Sequence, residues 1–132
     1  MIRLKTKEEI ALLREGGRRL ALILETLAKM VRPGLTADEL NRRGKELAEQ
    51  GGDTPAFLGY KPSGATEPYP ASVCVSINDA IVHGIPNENI PPLKEGDLVS
   101  IDMGLIHKGL ITDAAITVPV GRVDKRDLTL LE

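Results

Sequence analysis

LVSIDMGLIHKGLITDAAITVPV, residues 98–120, is the stretch whose reading decides the fold. Val99, Ile101, Met103 and Leu105 alternate with Ser100, Asp102 and Gly104, the period of a β-strand. Ile111, Asp113, Ala115 and Thr117 alternate with Leu110, Thr112, Ala114 and Ile116 in the same way. Between the two runs, His107-Lys108-Gly109 carries the X-Gly signal of a tight turn, which places His107 at the surface. A two-residue turn at 107–108 sets Asp102 directly opposite Asp113, whereas one at 108–109 makes them diagonal neighbours. Either register leaves both carboxylates on one face, roughly 5–8 Å apart; a three-residue loop without a bulge splits them between faces. Facing like charges destabilise a sheet, and a cation between them removes the conflict. Oxygen-rich sites of this kind suit Mn²⁺, Fe²⁺, Co²⁺, Zn²⁺ or Mg²⁺. The plainer alternative is a pair of strand acids facing solvent. Flanking Ile101, Met103, Ile111 and Ala114 point to partial burial and favour the metal.

Upstream, Thr6-Lys7-Glu8-Glu9 has the Ser/Thr-x-x-Glu pattern of a capping box and predicts a helix from about Lys7. Ile10, Leu13, Gly17, Leu20, Leu24, Leu27 and Val31 recur at steps of three and four along one face. Gly16-Gly17 inside it costs roughly 1 kcal/mol per Gly, compatible with close backbone packing or with a kink. Pro33-Gly34 ends this helix, and Thr36-Ala37-Asp38-Glu39 opens a second. Leu40, Gly44, Leu47 and Ala48 mark its apolar face before Gly51-Gly52 stops it. Residues 53–70 carry four prolines and read as a long loop, of the length that is usually functional or disordered. Ser72–Ile77 reads as a strand, Asn78-Asp79 as a turn and Ala80–His83 as the returning strand. Residues 87–94 form a polar connection, and 122–132 a linker with the first turn of another helix.

At 132 residues the chain is one domain by size, and 42% hydrophobic with 27% charged residues is ordinary for a globular protein. A net charge of −2 provides no field to draw in DNA or an anionic membrane. Cys74 is the single cysteine, which excludes an internal disulfide and fits a reducing compartment. No apolar run approaches the ~20 residues of a membrane span, and MIRLKTKEE turns charged too early for a secretory signal. The expected location is the cytoplasm.

Two further groups carry chemistry. His83 lies in the apolar, constrained segment IVHGIP, and reads either as a buried hydrogen-bonded histidine or as a proton donor near the acidic pair. Phe57, Tyr60 and Tyr69, the only aromatic residues, fall in one Pro/Gly-rich stretch near Cys74. They line a small apolar pocket or cap the end of the core.

Together these segments resemble the type I methionine aminopeptidases, the pita-bread metallopeptidases that remove initiator methionine. FLGY, then YPASVCVSINDAIVHGIP, then LKEGDLVSIDMGLIHKGLITDAA carry the resemblance, with REGGRRLA and VRPGLTADEL in the helical lead-in. It runs from about Ile2 to Glu132. The implied fold class is α+β, half of a pita-bread fold, with two N-terminal helices packed on antiparallel β-hairpins. Residues 1–132 would be the N-terminal half of the catalytic domain, with the second half absent.

Carried over by position, Asp102 matches the bidentate metal ligand and Asp113 the carboxylate bridging two divalent ions (Co, Mn, Fe, Zn or Ni). His83 matches the histidine facing the scissile amide. Tyr60, Tyr69 and Cys74 match the lining of the methionine side-chain pocket, with Phe57 near it. Asn78 falls where a monovalent-cation site is often found. The segment from Lys61 to Pro68 looks longer than in many bacterial members, which implies a different pocket rim. The family's second half supplies one His and two Glu ligands, one Glu also serving as base. The implied partners are therefore nascent polypeptide N-termini near the ribosome, together with a complementing C-terminal half or a second copy of this chain. The alternatives are a catalytically incompetent half-domain or peptide-binding module, and a sibling pita-bread aminopeptidase specific for proline.

Overall fold

The structure, a computed structural model, describes residues 4–86 and 89–131. Helix α1 spans Lys7–Met30 and α2 Ala37–Gln50. Strands β1 (Thr54–Pro55), β2 (Cys74–Ile77), β3 (Leu98–His107) and β4 (Leu110–Pro119) follow, then a short α3, Lys125–Leu131. Both predicted capping boxes form: Thr6 accepts from Glu9 N while Glu9 accepts from Thr6 N, and Thr36 and Glu39 repeat the exchange.

The face of α1 is rotated slightly from the expected one. Gly16, Leu20, Ile23, Leu24 and Leu27 are buried, whereas Ile10 is exposed. Gly16, not Gly17, makes the close approach: a Cβ there would stand 3.1 Å from the Cβ of His107, while one on Gly17 would meet nothing within 4 Å. The helix is continuous through both glycines. On α2, a Cβ at Gly44 would press on Val73, so that glycine lets the helix lie directly against the residue that precedes β2. Full burial of side chains such as Leu20, Leu27 and Leu40 stabilises by about 1.5–3 kcal/mol each.

Strand β3 organises the sheet. Along one edge it pairs antiparallel with the whole of β4; along the other it pairs with β2 and with β1. Lys108 (φ 50°) and Gly109 (φ 80°) make the turn, with both central residues at positive φ as a two-residue type I′ hairpin requires. Val99, Ile101, Met103 and Leu105 face the helices and are buried.

Four expectations are corrected. His107 is buried, because it shares the parity of Val99 to Leu105 and so faces α1; its Nδ1 lies 2.7 Å from Asp53 Oδ1. The strand expected from Ser72 begins at Cys74, because the backbone N–H groups of Ser72 and Val73 donate instead to Asn41 Oδ1 on α2. Ala80–His83 is not a strand. Asn78 and His83 both adopt left-handed backbone conformations, Ile81 and Val82 are exposed, and the segment meets β2 at its two ends, where Ala80 N donates to Ile77 O at 3.1 Å and Gly84 O accepts from Val75 N at 3.0 Å. Within the long loop, Thr54 and Pro55 pair with Ile106 and Leu105 of β3. Of the connection at 87–94, Asn87 and Glu88 lie outside the described residues, as does Glu132 of the final segment.

Candidate functional site

The type I′ turn decides between the two hairpin registers. His107 pairs with Leu110, which sets Gly104 opposite Asp113 and Asp102 opposite Ala115. Asp102 and Asp113 are thus diagonal neighbours on one face of the sheet, the face turned away from the helices. Such neighbours stand about 7–8 Å apart at the backbone, within reach of each other's side chains. Burial first, then the charge and hydrogen bonding of Asp113, push the Asp102 carboxyl above the usual carboxylate range; the charge of His83 acts the other way. The pair is therefore strained as two free anions. This is the electrostatic condition that a divalent cation relieves, and the all-oxygen donors fit such an ion. Among the described residues no group of three or more His, Cys, Asp or Glu is placed to hold a metal, so the donor set here is two carboxylates.

Gly104, opposite Asp113, makes room beside the acids. A Cβ on it would stand 2.7 Å from the Phe57 ring and 2.9 Å from the Ala56 Cβ. The Phe57 ring meets Tyr69 edge-on, with centroids 6.4 Å apart and planes at 88°. Tyr69 in turn donates its hydroxyl proton to Gly84 O at 3.0 Å. Cys74 pairs with Asp102 across β2 and β3. Burial is the largest influence on its thiol and pushes it up, with the two aspartates adding to the effect and a Tyr69 hydrogen bond opposing it. At neutral pH it is a neutral thiol, suited to an apolar wall.

His83 is held by its successor. Gly84 O accepts from Val75 N and from the Tyr69 hydroxyl, and Gly84 N donates to the buried Ser76 Oγ at 3.1 Å. Any Cβ on Gly84 would overlap the Val75 carbonyl, so this contact admits glycine alone. His83 itself sits at φ 59°, a conformation unfavourable for a non-glycine residue and concentrated at functional sites.

One cavity of about 960 Å³ gathers Asp102, Asp113, His83, Phe57, Tyr60, Tyr69 and Cys74. Seven of the eight residues singled out from sequence share it. Asn78 lies outside its lining, where its side chain donates to Asp97 and accepts from Leu98 N. Gly84, Gly104 and Ser76 shape the site without having been singled out. Their contacts are made between segments distant in sequence, which leaves no local signal to read.

The profile of metallopeptidase family M24 matches residues 11–132. A methionine aminopeptidase of Aquifex aeolicus is 41% identical over 131 residues, 99% of this chain and 50% of that protein. Methionine aminopeptidase 1 of Bacillus subtilis is 39% identical over 132 residues, 100% of this chain and 50% of that protein. The crystal structure of methionine aminopeptidase from Rickettsia prowazekii superposes with a TM-score of 0.89 at 33% identity, covering 99% of this chain and 50% of that one. The chain spans about half the length of the curated relatives it matches. Its two helices on an antiparallel sheet are half of the pita-bread fold. With nearly all of its length matched, the chain belongs to metallopeptidase family M24.

Proposed function

We propose that this chain is the N-terminal half of a methionine aminopeptidase, 1–132, that removes the N-terminal methionine of nascent polypeptides in the cytoplasm once a second half completes the site. The observation that carries this reading is the gathering of Asp102, Asp113, His83 and the four pocket residues around one cavity. Asp102 and Asp113 would hold the divalent ions. When bound, these supply polarisation of the scissile carbonyl and acidify a water molecule.

Phe57, Tyr60, Tyr69 and Cys74 form the apolar end that takes the methionine side chain, and so set the scissile amide beside the aspartates. His83, fixed in orientation through Gly84, faces that amide and passes a proton to the leaving nitrogen. Asn78 remains the proposed monovalent-cation position, apart from the cavity. Two carboxylates bind a divalent ion weakly, and among the described residues no third His, Cys, Asp or Glu is placed to hold it with them. A complementing half, or a second copy of this chain, is therefore required. Tyr60, Ile81 and Val82, apolar and exposed around the cavity and His83, offer it a contact surface.

The test is methionine release from Met-Ala-Ser by the chain alone and mixed with the C-terminal half of the Aquifex relative, each with Co²⁺ or Mn²⁺. Release by the mixture, abolished by Asp113→Asn, is the expected result. Release that survives Asp113→Asn overturns the assignment.

A further inference from the structure

The segment from Lys61 to Pro68 is not a slack insertion. Its base is fastened by Gly59 N to Tyr69 O at 2.9 Å and Tyr69 N to Tyr60 O at 2.8 Å. Its tip turns through Ala65 N to Pro62 O, and Lys61 Nζ ties it across by donating to Thr66 O at 2.8 Å. Residues 64–68 of this ribbon line the cavity wall. Glu67 is among them, and no hydrogen bond or ion pair engages its carboxylate among the described residues.

The charge inventory of the lining is one-sided. It holds Asp102, Asp113 and Glu67, one imidazole, and no Lys or Arg; Lys61, the ribbon's own cation, lies outside it. Glu67 does not join the aspartates as a third ligand, since no three such groups cluster. Once a metal compensates the two aspartates, Glu67 is the charge that remains. A cavity of about 960 Å³ is at the upper end for small-ligand sites. A methionine side chain fills only its aromatic end, so the residues that follow must lie along the rest.

We propose that the 61–68 rim reads the residues after the N-terminal methionine, and that Glu67 selects peptides carrying Lys or Arg there. This rests on the peptidase reading of the cavity and adds a substrate class to it. The preference is that of a solvent-facing ion pair, about two- to five-fold in affinity, and it weakens as salt rises.

The test needs no turnover. The ¹⁵N-labelled chain, in excess Mg²⁺ to compensate the two aspartates, is titrated with Met-Ala-Lys-Lys amide and with Met-Ala-Glu-Glu amide, following amide shifts at Phe57, Tyr60 and Glu67. The lysine peptide should bind about two- to five-fold more tightly. That difference should vanish in Glu67→Gln and reverse in Glu67→Lys. A preference that persists in Glu67→Gln belongs to Asp102 and Asp113 and overturns the role of Glu67. Equal binding of both peptides in the wild-type chain overturns the inference but leaves the methionine pocket standing. Binding of neither peptide overturns both.

Discussion

Asp113 stands directly opposite Gly104, two residues along β3 from Asp102. That offset brings two carboxyls together on the open face of the sheet, while the missing side chain at Gly104 leaves space for the Phe57 ring beside them. The electrostatic strain and the pocket thus come from one register.

A pH dependence follows. Asp102 titrates above its unfolded value because burial and Asp113 disfavour its charge. A carboxyl raised in this way contributes stability below its unfolded pKa and loses that contribution as pH rises through the folded value. Asp102→Asn should therefore raise the melting temperature at pH 7 in metal-free buffer and leave it unchanged at pH 3. Equal effects at both pH values would show that no charge strain exists at this site.

The opposite sign is expected on α1. Hydrogen bonds from Arg18 and Arg19 hold the Glu15 carboxyl down to about 2, so its contribution is present above the unfolded value near 4.5 and lost as pH falls toward 2. Glu15→Gln should flatten that part of the acid-unfolding curve. Unchanged acid unfolding would mean the exposed cluster contributes nothing.

His107, Asp53 and Arg19 form a polar tie between β3, the start of the long loop and α1. Asp53 accepts from His107 Nδ1 and from Arg19 Nη1, and Arg19 also donates to Gly51 O at 2.8 Å. His107→Ala removes a buried hydrogen bond to a charged group, and should cost about 2–3 kcal/mol and lower the melting temperature by roughly 10 °C. Asp53→Asn should cost less, since an amide oxygen still accepts. Differential scanning calorimetry on the two variants checks the ranking.

Close by, Thr112 Oγ1 is buried with no hydrogen-bond partner among the described residues. Its hydroxyl carries a desolvation penalty with nothing in return, and Thr112→Val keeps the shape. The variant should be more stable by about 1 kcal/mol, or ~4 °C in melting temperature. A loss of stability would mean that the hydroxyl has a partner in solution.

The parts of the fold legible in the sequence are those fixed by local chemistry. Two Thr-x-x-Glu boxes, a Gly-bearing turn within 107–109 and the alternation through β3 and β4 each decide their own element within a few residues, while the register of the turn is settled by the positive φ of Lys108 and Gly109. What departs from local chemistry depends on distant partners. The apolar run Ala80-Ile81-Val82-His83 has strand composition, yet Ile81 and Val82 are exposed and the run is held at its ends, by Ala80 N on Ile77 O and by Gly84 O on β2 and the aromatic loop. Ser72 and Val73 leave the ladder because Asn41, on α2, offers a better-placed oxygen. His107 was legible in principle: its parity with Leu105 outweighs its nearness to the turn. The acids, the histidine and the aromatic residues that share the cavity stand out in the sequence because their types are chemically conspicuous. Gly84 and Gly104 act by what they lack, which no residue pattern displays.

The central claim is that Asp102 and Asp113 jointly hold a divalent metal. Paramagnetic broadening by Mn²⁺ tests it on the chain as it stands, without requiring turnover. Titration should broaden the amide signals of Asp102, Asp113, Cys74 and Ala115 first, and Asp113→Asn should abolish that pattern. Broadening centred elsewhere, or unchanged in Asp113→Asn, would contradict the account.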